Sequence, residues 1–228
     1  MKISEIKQAY YVDINKQGAD GETWQAKYYA RPLSFYAAWF FIKLGVSANV
    51  VSVLTLIAAI IGCALIATGD YWMILIGVII LNIGHVLDYT DGDIARATNT
   101  SSKFGQWLDR TIDEIVVAII PISIGVACIR ITWWFLIIGF VYAILHALSA
   151  LSMAHTELAY GVQPHNYYRS KTGLWQHLYK VGNNLQSMAT LLLIPFAIFN
   201  MLPYYLGYFA ILTACELVVG ILIRIIKR

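Results

Sequence analysis

Apolar residues in this chain come in long unbroken runs, without the two-residue alternation of a half-buried strand or the narrow stripe of a surface helix. Six runs stand out, at about Val50–Thr68, Tyr71–Leu87, Gln106–Val126, Ile131–Met153, Leu185–Met201 and Tyr204–Ile223. Each approaches the ~20 residues that cross a bilayer as a helix. The breaks between them are short, at Gly69-Asp70 and at Arg130, except for two polar stretches, 88–105 and 155–183. Ahead of the first run, LSFYAAWFFIKL (33–44) is apolar but too short to cross. Pro32 suits the first turn of its helix. Tyr36, Trp39 and Lys43 suit the headgroup region, so the pattern predicts a helix lying in the interface. The expected architecture is all-α and integral to the membrane: six transmembrane helices (49–228) behind an N-terminal cytoplasmic or interfacial segment (1–48).

Composition agrees. The chain has 228 residues, 59% of them hydrophobic, and a mean hydropathy of +0.66, too apolar for a soluble domain. A single membrane domain is expected, with no second globular one. Net charge is only +3, which gives nucleic-acid binding no support. Cys63, Cys128 and Cys215 are scattered inside apolar runs and read as small core residues, not as a disulfide framework or metal cluster. The start is polar, with Lys2, Glu5 and Lys7, so no cleaved leader is expected. With six crossings, 15 of the 16 Lys and Arg fall on one side and only Arg130 on the other. The positive-inside rule then places both termini and the 88–105 stretch in the cytoplasm of a multi-pass cell-membrane protein.

The chemistry concentrates in DYTDGDIARATNTSSKFGQWLDRTID, Asp88 to Asp113. Asp88 and Asp91 are three residues apart and Asp109 and Asp113 four, so each pair shares a helix face. With the first pair ending one helix and the second starting the next, a helical hairpin brings the four carboxylates together. Like charges at that spacing repel, and a divalent cation with hard oxygen ligands removes the repulsion. Gly92 and Gly105 leave room for a ligand to approach the backbone, and Arg96 is a natural partner for phosphate. The plain alternative is that these acids solvate an interhelical loop, but acids set at the ends of membrane spans usually act.

The spacing Asp88-x2-Asp91-Gly92-x2-Ala95-Arg96-x8-Gly105-x3-Asp109-x3-Asp113 resembles the full signature of the CDP-alcohol phosphotransferases. That resemblance implies a membrane enzyme of phospholipid biosynthesis. It would move a substituted phosphoryl group from a CDP-linked donor, CDP-lipid in many members, to an alcohol acceptor and release CMP. It also implies two divalent cations, Mg²⁺ or Mn²⁺. Asp88, Asp91 and Asp109 would hold one, and Asp88, Asp109 and Asp113 the other, with Asp113 the catalytic base. Gly92, Ala95, Arg96, Ser102 and Gly105 would form the donor site, and a homodimer is expected. The family often begins its first span with Thr/Ser-Pro-Asn. Here Ser47 and Asn49 are kept and Ala48 replaces proline. Asn49 and Ser52 read as helix caps or as nucleotide contacts.

The acceptor is less defined. Arg169 and Lys171 could hold an acceptor phosphate, as in members that use inositol phosphates. However, Glu114 stands where phosphate-acceptor members often place Arg or Lys, which keeps glycerol phosphate, serine and other polyols open. His85, one turn before Asp88, reads as a hydrogen-bonded structural residue or a ligand neighbour, and His146 as a packing or hydrogen-bonding residue. Glu216 is an isolated intramembrane acid and a secondary candidate. Two rival readings use similar features. A six-span cation transporter would bury acids but needs no Gly92, Ala95, Arg96 or Gly105 at these distances. An intramembrane prenyltransferase would also grip diphosphate through Asp and Mg²⁺, with more spans and two separate Asp-rich loops.

Overall fold

The computed structural model describes residues 1–17, 23–160, 181 and 184–226, and all regular structure among them is helical. Arg169 and Lys171 lie outside the described residues. Helix α1 covers Ile3–Gln17. A wide-pitched turn at Ala26–Ala30 runs into α2, Arg31–Lys43, with Pro32 in its first turn. Then come α3 (Ala48–Ala67), α4 (Tyr71–Ala97), α5 (Lys103–Ala127), α6 (Trp134–Tyr160), α7 (Ala189–Ile198) and α8 (Leu202–Ile226).

Five stretches are long and apolar enough to cross a membrane: Ala48–Ala67, Tyr71–Ala97, Lys103–Arg130, Trp134–Ser152 and Leu202–Ile221. The run expected as one span at Leu185–Met201 is instead interrupted at Met188, leaving α7 with 10 residues. Pro195, inside α7, withholds one backbone donor and weakens the helix further. The segment nevertheless follows α4 closely. From α4, Asn82 Nδ2 donates to the Thr190 carbonyl (3.1 Å) and the Tyr71 hydroxyl to the Ile198 carbonyl (3.1 Å), while Trp24 N, ahead of α2, donates to Asn184 Oδ1 (3.0 Å).

Helix ends explain where the functional residues fall. Asp70 starts α4 by accepting from the amides of Trp72 and Met73, both at 3.0 Å. α4 carries the first acid pair near its end, as expected, and runs on past the apolar stretch to Ala97, so that Asp88, Asp91, Gly92 and Arg96 share one rod. The residues Ile94-Ala95-Arg96-Ala97 favour a helix, so the backbone keeps its ladder beyond the apolar run. Asn99 then ends it in the left-handed region (φ 54°). The Thr100 amide reaches back to the Ala95 carbonyl (3.0 Å) and the Asn99 amide to that of Arg96 (3.4 Å). Ser102 opens α5 by accepting from Gly105 N at 3.0 Å. The polar turn between the acid pairs is therefore only about five residues long, which brings α5 back alongside α4.

Two glycines set the α3–α4 distance. A methyl group at Gly62 would lie 2.8 Å from the Gly77 carbonyl oxygen, and one at Gly77 would lie 2.5 Å from that of Gly62. Only bare backbone lets these helices touch, the small-residue packing expected where lipid supplies no hydrophobic drive. The main core, including Ile66, Val78, Leu81, Ile124, Leu193 and Phe209, ties α3–α8 together. A second cluster, Ile6, Tyr10, Phe35, Ala38, Val51 and Ile94, seats α1 and α2 against the acid-bearing end of α4.

Candidate metal and nucleotide site

Asp88 and Asp91 come from α4, Asp109 and Asp113 from α5. Carboxylate oxygens of Asp88, Asp109 and Asp113 lie within 4.8 Å of one another. Oxygens on opposite sides of a Mg²⁺- or Ca²⁺-sized ion stand about 4–5 Å apart, so this donor set fits a hard divalent cation. Asp91 is outside that trio. It is buried, and the Ser52 hydroxyl donates to its Oδ2. The close α3–α4 packing is what brings Ser52 within reach.

Every residue expected at the donor (Asn49, Ser52, Gly92, Ala95, Arg96, Ser102 and Gly105) lines a single cavity of about 340 Å³, with Asp91 and Asp109 in its wall. Asn49 and Ser52 do not cap α3. Ser47 holds the cap position, in extended geometry, and the other two project from the first turns into the cavity. The glycines make room for side chains here. A methyl at Gly92 would sit 3.0 Å from Arg96 Nη2 and 3.2 Å from Nη1, so its absence lets the guanidinium lie along the helix. A methyl at Gly105 would meet Asn49 Oδ1 at 3.2 Å.

Sequence reasoning missed Asp93. Its side chain is fully buried and accepts from Arg96 Nη2 at 2.7 Å, Arg31 Nη1 at 3.0 Å and Ser34 Oγ at 2.6 Å. The i,i+3 spacing to Arg96 was a local signal, but nothing in the sequence pattern pointed to Arg31, 62 residues away.

A second cavity of about 380 Å³ lies on the deeper side of the acids, with Asp88 and Asp113 in its wall. His85, Glu114 and His146 also line it. His85 packs edge-on against Tyr89, with ring centroids 5.2 Å apart. His146 Nδ1 is 3.6 Å from Glu114 Oε2. Glu216, on α8, is half-buried and is not among the described residues lining either cavity.

Comparison with known proteins gives a consistent picture. The model of the family described as CDP-alcohol phosphatidyltransferase matches residues 45–222. A Mycobacterium tuberculosis protein with the provisional name cardiolipin synthase is 38% identical over 91 residues, 39% of this chain and 41% of the relative. An archaetidylinositol phosphate synthase of Pyrococcus horikoshii is 40% identical over 95 residues, 40% of this chain and 46% of that protein. The matched region thus spans less than half the length of either relative.

Proposed function

The chain belongs to the CDP-alcohol phosphatidyltransferase family, and we propose that it transfers a substituted phosphoryl group from a CDP-linked donor to an alcohol, releasing CMP, in phospholipid biosynthesis. One observation carries this reading: five residues of the signature stretch, with Asn49 and Ser52 from α3, line a single cavity whose wall adjoins the Asp88–Asp109–Asp113 cluster. The arrangement gives the glycines and Arg96 a use that ion transport would not. The single Asp-rich region sets the chain apart from the two-loop prenyltransferase pattern.

Asp88, Asp91 and Asp109 would hold one divalent ion and Asp88, Asp109 and Asp113 a second, Mg²⁺ or Mn²⁺. Such ions would neutralise the diphosphate and the charge on the leaving CMP. Arg96 binds a donor phosphate through its fork of N–H donors, while Asn49, Ser52, Ala95 and Ser102, with Gly92 and Gly105, shape the nucleotide pocket. Asp113 faces both the acid cluster and the deeper cavity. It is placed to take the acceptor's hydroxyl proton as that oxygen attacks the β-phosphorus and the bond to the CMP oxygen breaks. The acceptor is an inositol phosphate, glycerol phosphate, serine or another polyol, with Arg169 and Lys171 as its phosphate partners if it has one. Purified protein with Mg²⁺ or Mn²⁺ should release CMP from a CDP-linked donor when given its acceptor. A panel of CDP-linked donors against these alcohols tests this, and silence across it with lipid present would overturn the reading.

In the bilayer, we take the single membrane domain to cross six times, with 184–198 as the fifth crossing. Its contacts with Asn82 and Tyr71 follow α4 from near its middle to its first residue, which supports that count. α2 would then lie in the interface, both termini and the acids in the cytoplasm, and the protein would pair as a homodimer. Cysteines introduced at Gly69 and Met201 should react with an impermeant reagent outside intact cells, and one at Asn99 should not. External labelling at Asn99 reverses the orientation.

A further inference from the structure

The family match begins at residue 45, yet the arginine of the donor cavity is anchored by residues that precede it. Arg31 and Arg96 both bind Asp93 Oδ1, at 3.0 and 2.7 Å, and Ser34 Oγ holds Oδ2 at 2.6 Å. Arg31 is itself fixed between two rings, with its guanidinium carbon 4.4 Å from the centroid of Tyr10 on α1 and 4.7 Å from that of Tyr89 on α4. α1 also contributes directly, since Asp13 lines the donor cavity.

The charge count matters as much as the geometry. A private Asp93–Arg96 pair would be neutral and would offer a donor diphosphate little. With two guanidinium groups on one buried carboxylate, Asp93 is shared and does not pair with Arg96 alone; of the two arginines it is Arg96 that lines the cavity, beside Asp13, Asp91 and Asp109. Attraction to an anion in such a partly dehydrated wall is stronger than at an exposed surface. The carboxylate that fixes the orientation of Arg96 is thus shared with Arg31, and the open face of Gly92 leaves the guanidinium space to lie there.

We propose that Asp93 is a positioning residue that joins the N-terminal helices to the donor cavity, holding Arg96 oriented for the donor's diphosphate. The proposal rests on the CDP-donor reading above. It makes residues before 45 part of the donor site and not merely a membrane-surface anchor.

The test measures equilibrium binding of CDP and of CMP to the full-length protein in lipid nanodiscs at saturating Mg²⁺. Asp93→Asn should weaken CDP binding by about tenfold, the range of coupling energies within one ion-pair network. CMP, which lacks the second phosphate, should lose less. In an Arg96→Ala background the same substitution should add less than about twofold, because the residue it positions is gone. Asp70→Ala, which removes a cap at the far end of α4, is the control: it should lower the melting temperature and leave CDP binding unchanged. If Asp93→Asn does not fold, Arg31→Lys serves instead. It keeps the charge but loses the planar fork, and should show a smaller loss that likewise vanishes in Arg96→Ala. Unchanged CDP binding in these variants, or a loss that persists in full without Arg96, would overturn the proposal. Absence of CDP binding in the wild-type protein would instead remove the donor reading beneath it.

Discussion

Asp88→Asn is expected to abolish Mg²⁺-dependent donor binding together with turnover. Asp88 is the member of the carboxylate trio contributed by α4, facing Asp109 and Asp113 from α5, and in the two-ion reading it serves both ions. An amide keeps the shape and a single neutral oxygen but loses the negative charge and the second oxygen with which one carboxylate can serve two ions. Changes to residues that only support a metal ligand already cost about 10–100-fold, so losing a shared ligand should exceed that. Donor titrations over a range of Mg²⁺ check the result. Melting curves without metal give the control. The amide fills the same space beside Asp109 and Asp113 and has an N–H to donate to them, so the variant should melt no lower than the wild type. Donor affinity near that of the wild type in a folded Asp88→Asn protein would rule out Asp88 as a ligand to both ions.

Asp113→Asn separates the two roles assigned to that residue. Its side chain borders both the acid cluster and the deeper cavity from which an acceptor hydroxyl would approach. The amide oxygen can still meet an ion but cannot serve as a proton acceptor. Donor binding should therefore persist while the single-turnover rate falls by about 10²–10⁴-fold, the usual scale for losing a general base. Any loss of metal affinity would add to that and would be seen as a shifted Mg²⁺ dependence. If Asp113→Asn loses donor binding as completely as Asp88→Asn, the residue assembles the metal site and the proton goes elsewhere.

Much of this molecule was set by local pattern. Five long apolar helices follow from the runs of aliphatic residues, since a helix that satisfies its own backbone is the available answer in lipid. The three- and four-residue Asp spacings put each pair on one helix face whatever the partners were. The resemblance to the family signature grouped Gly92, Ala95, Arg96, Ser102 and Gly105 as an expected donor site, and these residues do line one cavity. The short polar turn and the Ser102 cap are likewise readable, being contacts made within a few residues.

What the tertiary structure decided depends on residues far apart in the chain. How far α4 ran beyond the first acid pair was decided partly by the α1–α2 layer, whose apolar residues bury Ile94. Asn49 and Ser52 looked like caps from their position. They became cavity residues because the Gly62–Gly77 contact draws α3 against α4 and sets Ser52 beside Asp91, 39 positions later. The same packing separates Asp91 from the Asp88–Asp109–Asp113 trio, a split that four regularly spaced acids do not reveal. Asp93 is the plainest case: its neighbours suggested only an i,i+3 pair, and burial made its charge affordable by supplying Arg31 and Ser34 from another helix. Periodicity fixes which face a side chain occupies. Which charges meet across that face is settled only when the helices pack.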